Sequence, residues 1–149
     1  MKKAIIYYSK TGNTESVVEK FKGFDVLKVE AKSDDPNQTN PELTNSPDVK
    51  TYNYLIFAAP VHGFQLAKIM KTYLKGLDDL TGKTIDIFVT HHFRFSWLGG
   101  KQALKQMKKI IEAKGGKIRN KTSINWKSGK KDEVIETMLE EYKVTGEKK

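Results

Sequence analysis

The sequence contains no cysteine in 149 residues, which excludes disulfides, thiolate zinc sites and a cysteine nucleophile. That fits a reducing compartment, and a cytoplasmic protein is expected. No apolar run approaches the roughly 20 residues of a membrane-spanning helix. Met1-Lys2-Lys3 before an apolar run imitates a signal peptide, but the run stops after five residues, so no leader is expected. Proline is scarce: three of the four fall within residues 31–50. Acidic residues are outnumbered, 18 against 27 Lys and Arg, for a net charge of +9. Residues 99–149 hold +7 of that excess. A basic third suits an acidic partner, nucleic acid or an anionic membrane, with a solvated lysine-rich surface as the favoured reading. The chain has neither G-x-x-x-x-G-K-[ST] nor G-x-G-x-x-G, so the two best-known phosphate loops are absent, and without G-x-S-x-G no nucleophile elbow is expected.

What is present is concentrated near the N-terminus. Ala4-Ile5-Ile6-Tyr7-Tyr8 is β-branched and aromatic, the composition of a buried strand. It breaks into Ser9-Lys10-Thr11-Gly12-Asn13-Thr14, after which Val17, Val18 and Phe21 recur at helical spacing. A loop of hydroxyls and backbone amides leading into a helix suits an anion, above all a phosphate. Gly12 permits a positive φ, and successive amides can then curl into an anion-binding nest. An ordinary loop with Thr11 or Asn13 as helix cap is the competing reading.

Strand and helix patterns then alternate. Residues 24–30 read as a second strand with Val26 and Val29 in the core. Residues 31–50 are polar and proline-broken, a long loop with at most a short turn near Pro47-Asp48-Val49. Residues 54–59 form a continuous apolar run, as in a strand buried on both faces. The loop 60–64 follows, then a helical stripe of Leu66, Ile69, Met70, Tyr73, Leu74 and Leu77. A fourth strand spans 85–90, and a loop carries His91, His92, Phe93, Arg94, Phe95, Ser96 and Trp97 into Gly99-Gly100. Ala103, Leu104, Met107, Ile110 and Ile111 mark the next helix, stopped by Gly115-Gly116. A weaker strand at 117–126 and an amphipathic helix at 132–142 complete a single domain, 1–143, with 144–149 as a flexible tail. The alternation predicts an α/β protein, a three-layer α-β-α sandwich around a five-stranded parallel sheet.

The loop Ser9-Lys10-Thr11-Gly12-Asn13-Thr14, placed directly after the first strand, resembles the [ST]-x-T-G-x-T phosphate loop of the flavodoxin family. With five alternating strands it resembles a short-chain flavodoxin over nearly the whole chain, in strand order 2-1-3-4-5. That resemblance implies an FMN cofactor whose phosphate is held by Ser9, Lys10, Thr11, Gly12, Asn13 and Thr14. It implies further that Pro60, Val61, His62, Gly63 and Phe64 flank the isoalloxazine ring, opposite His91, His92, Phe93, Phe95, Trp97 and Gly99. The residue types agree independently, because a flat aromatic ligand wants aromatic walls and a few fixed polar groups. Phe64, Phe93, Phe95 and Trp97 would supply such walls. Gly63 reads either as a turn glycine or as the peptide beside flavin N5.

All three histidines fall in these loops, but His91 and His92 are adjacent at a strand end and point to opposite faces, so no metal site is expected. A bound flavin would carry the chemistry, leaving no catalytic side chain to assign. The resemblance implies an electron-transfer protein served by a reductase or an acidic redox partner. An FMN-dependent oxidoreductase of the quinone reductase or protoporphyrinogen oxidase type is the alternative. A flavin-free binding module with a basic surface is the second. Nucleic acid is not expected, since the loop aromatics stand apart from most of the lysines.

Overall fold

The computed structural model describes residues 2–92 and 97–143, with Trp97 and Leu98 described in their backbone alone. The first strand, β1 (Lys3–Tyr7), leads through the 9–14 loop into a short helix, α1 (Asn13–Val18). Next come β2 (Asp25–Lys28) and a two-stranded ribbon of β3 (Glu30–Ala31) and β4 (Leu43–Asn45). The long strand β5 (Tyr54–His62) turns back into β6 (Gln65–Leu66), followed by helix α2 (Lys68–Lys75). Strand β7 (Thr84–His91), helix α3 (Trp97–Ala113), strand β8 (Lys117–Asn125) and helix α4 (Lys131–Glu141) complete the order.

The main sheet runs β2-β1-β5-β7-β8, every neighbour parallel, which is the expected order 2-1-3-4-5. Because side chains alternate across a strand, the sheet divides the apolar residues into two layers. Ala4, Ile6, Leu55, Phe57, Ile85, Ile87 and Val89 face α2 and α3, packing on Met70, Leu74, Met107 and Ile111. Ile5, Tyr7, Ile56, Ala58 and Phe88 face α1 and α4, packing on Val17, Val18, Ile135 and Met138. The central strands β5 and β7 are buried on both faces, as their unbroken apolar runs require.

Three expectations need correction. Val26 is 49% exposed rather than core: β2 is an edge strand and α1, six residues long, does not cover it. The helical stripe is shorter than expected at both ends, since Leu66 belongs to β6 and Leu77 follows the Gly76 cap of α2. The 60–64 stretch is not loop throughout, because β5 runs on through Pro60, Val61 and His62 before turning. No helix links β2 to β5. Val49 is buried there instead, with Ala31, Leu43 and Tyr52 packed against the same layer. The Tyr73 hydroxyl donates to the Pro47 carbonyl at 2.6 Å, tying this segment to α2. Two turns form rather than one, with the Gln38 amide donating to the Asp35 carbonyl and, just after the expected position, the Tyr52 amide to the Val49 carbonyl.

Candidate functional site

The carboxyl ends of β1, β5 and β7 meet where the chain order reverses, the position at which open α/β sheets bind ligands. The 9–14 loop leaves β1 there. Gly12 has φ 93°, a left-handed conformation that turns the loop into α1. Ser9 Oγ accepts from the Gly12 amide at 3.1 Å and the Glu15 amide at 3.4 Å, folding the loop around itself. Among the described residues the amides of Lys10, Thr11, Asn13 and Thr14 have no acceptor. The loop is thus a cradle of unpaired donors with Lys10, Thr11 and Gly12 open to solvent. Thr14 is different: it is buried, and its hydroxyl lies 2.8 Å from that of Thr90 on β7. Asn13 Nδ2 lies 2.8 Å from His92 Nε2, a second tie from the loop to the end of β7. Sequence inspection cannot see either tie, since 76 and 79 residues separate the partners.

The opposite wall is the β5–β6 hairpin. Val61 pairs with Leu66 and His62 with Gln65, leaving Gly63 and Phe64 as a two-residue turn. Both have positive φ, 54° and 68°, the geometry of a type I′ turn. Phe64 is the one described non-glycine residue with such a φ, and it is 55% exposed. A left-handed conformation costs a bulky residue about 1 kcal/mol or more. Gly99, in the first turn of α3, packs beneath it: a Cβ at Gly99 would lie 3.1 Å from Phe64 Cα. Gly99 thus lets α3 approach the hairpin.

Beside the hairpin lies a cleft of about 490 Å³, lined by Val61, His62, Gly63, Gln65, Leu66, Lys68 and His92, with Pro36 and Asn37 on a further side. It meets the 9–14 loop through the contact of His92 with Asn13. Its size is that of a cofactor site. Pro36 and Asn37 come from the 31–50 segment, whose length marks it as unusual but does not reveal which of its residues reach the cleft. No carboxylate lines the cleft, whereas Lys68 and two imidazoles do. His62 stands edge-on to Tyr8, ring centres 6.4 Å apart, and burial followed by the charge of Lys10 lowers its pKa. His91 and His92 do point to opposite sides. His91 is buried against Gly100, its pKa lowered by burial and then by His92, while His92 is exposed. Pro60 is part-buried within β5. Phe93 and Phe95, with Arg94, lie outside the described residues, as does the side chain of Trp97.

No protein-family model matches the sequence, and no curated protein matches it. Solved structures do resemble it. The Trp repressor binding protein from Bacillus subtilis superposes with a TM-score of 0.71 at 16% identity, over 96% of this chain and all of that one (100%). Oxidised flavodoxin 2 from Bacillus cereus gives 0.65 at 17% identity, over 93% and 95% of the two chains. Fusobacterium nucleatum flavodoxin bound to flavin mononucleotide gives 0.63 at 19%, over 95% and 96%. The chain therefore has the flavodoxin-like fold, a three-layer α/β sandwich with its sheet in that order.

Proposed function

We propose that this protein binds FMN at the carboxyl edge of its sheet and passes electrons between a reductase and a redox partner. The observation that carries the reading is the 9–14 cradle: four amides without acceptors, curled by Gly12 at φ 93°. A dianionic phosphate satisfies several such donors at once, which water does less well in a concave site. The cleft, which meets the cradle where His92 contacts Asn13, supports a flat ring system next to that phosphate, and Lys68 in a lining without carboxylates suits an anionic ligand. Thr14 and Asn13, tied to Thr90 and His92, hold the cradle at a fixed height over the sheet. Gly63 and Phe64 form the wall opposite, and a carbonyl at Gly63 meets no side chain of its own residue. FMN bound there would supply one- and two-electron redox chemistry, while the chain's own residues bind, orient and shield it.

The test is a visible absorption spectrum of the purified protein before and after adding FMN and removing the excess. A stoichiometric yellow complex is expected; a colourless protein that takes up none would overturn the reading. NADPH oxidation by the yellow protein alone with a quinone acceptor would favour the oxidoreductase, and reduction only through a separate reductase the carrier.

A further inference from the structure

The basic surplus is not spread evenly over the molecule. Helices α2 and α3 pack side by side on one face of the sheet and carry seven lysines against a single acid, Glu112. On the opposite face α4 mixes signs, with Asp132, Glu133, Glu136, Glu140 and Glu141 beside Lys131. Among the described residues no ion pair reaches any α2 or α3 lysine. Between the two helices runs a groove of about 390 Å³. Ile110 and Ala113 form the apolar part of its floor beside the Gln106 amide, with Lys71 and Lys75 on one bank and Lys109 and Lys114 on the other. Lys114 Nζ donates to the Lys75 carbonyl at 2.8 Å, bracing the two banks at one end. Burial lowers the pKa of Lys71, and the neighbouring charges of Lys75 and Lys68 lower it further. Like charges are therefore crowded along a groove whose floor is partly apolar.

We infer that this groove docks an acidic amphipathic helix of a partner protein. An apolar side chain of such a helix seats on Ile110 and Ala113, and carboxylates three or four residues away reach the lysine banks. The combination separates this occupant from two others. A nucleic acid has no use for the apolar floor, and no aromatic ring or arginine lines the groove to stack a base. A bilayer needs a broad apolar face, whereas here only Ile110 and Ala113 are apolar and lysines flank them on both sides. The groove shares no lining residue with the cleft beside the hairpin, so the inference does not rest on FMN binding.

The probe is a fluorescein-labelled helical peptide of about fifteen residues, with leucines at i and i+4 and glutamates around them, titrated by anisotropy. Lys71→Glu with Lys109→Glu is expected to weaken binding about tenfold or more, and Ile110→Asn about threefold. Lys20→Glu with Lys127→Glu, off this groove, is expected to leave binding within about twofold. If the reversal variant is misfolded by circular dichroism, Lys71→Gln with Lys109→Gln takes its place. The inference is overturned if both pairs of charge changes act alike, or if Ile110→Asn has no effect. It is equally overturned if single-stranded DNA or phosphatidylserine vesicles bind more tightly than the peptide and lose binding with the same variants.

Discussion

Gly12 has φ 93°, and a Cβ placed on it would meet no atom within 4 Å. Gly12→Ala therefore introduces no clash, and its cost is the backbone alone, about 1 kcal/mol. The expected outcome is a small loss of melting temperature and an FMN dissociation constant raised about tenfold, because the cradle reopens. Riboflavin, which lacks the phosphate, separates the two effects: its affinity should change little, and an equal loss for both ligands would place the phosphate elsewhere. The left-handed turn at Gly12 was legible in the sequence, because a glycine between a strand and a helix is where the chain can take a positive φ. Phe64 was legible as a candidate wall but not in its conformation, since Gly-Phe lacks the Asn-Gly signature of a type I′ turn. Nor do His92 and Asn13 announce each other, because their contact exists only once β1 and β7 stand in one sheet.

At the scale of elements, β7 and β8 are fastened to α4 by a buried polar cluster that hydrophobic patterning could not reveal. Asp86 is fully buried in β7, where its carboxylate accepts from the Tyr54 hydroxyl, the Arg119 guanidinium at 2.7 Å and the Asn120 amide at 2.9 Å. The Tyr142 carbonyl, just past α4, lies 2.7 Å from the same Tyr54 hydroxyl as an alternative acceptor. Tyr142 in turn donates to the Ile87 carbonyl at 2.6 Å. Asp86→Ala would remove the one carboxylate on which the Tyr54 hydroxyl, the part-exposed Arg119 guanidinium and the Asn120 amide converge. The expected cost is about 3 kcal/mol, read by urea denaturation. Tyr54→Phe should cost about 1 kcal/mol, and equal losses for the two would mean that the carboxylate is not the hub. Strands β5 and β7 and helices α2, α3 and α4 were readable because their apolar periods are long. The β3–β4 ribbon was not, because Leu43-Thr44-Asn45 has no pattern of its own and is held in place by tertiary contacts.

For the molecule as a whole, acid should be more damaging than the basic composition alone suggests. His62 and His91 both have imidazole pKa values lowered chiefly by burial, so the folded protein favours their neutral forms. Below the ordinary value near 6.5 the unfolded chain then binds more protons than the folded one. Their contribution to stability is complete above that value and is lost as pH falls through the lowered native values. Urea midpoints measured from about pH 7 to 5 should fall, and His62→Gln should flatten part of the slope; an unchanged slope would remove His62 from the account. Overall topology was legible because the unbroken apolar runs had to be central strands and helical patterns alternate with them. The strand order also sets a timetable for synthesis. β1 lies between β2 and β5, and Lys3 pairs with Tyr54, 51 residues later. At about 5–20 residues per second, a ribosome delivers that partner roughly 3 to 10 seconds after β1 is made. Through that interval the edge of β1 that β5 will cover stands without its partner strand.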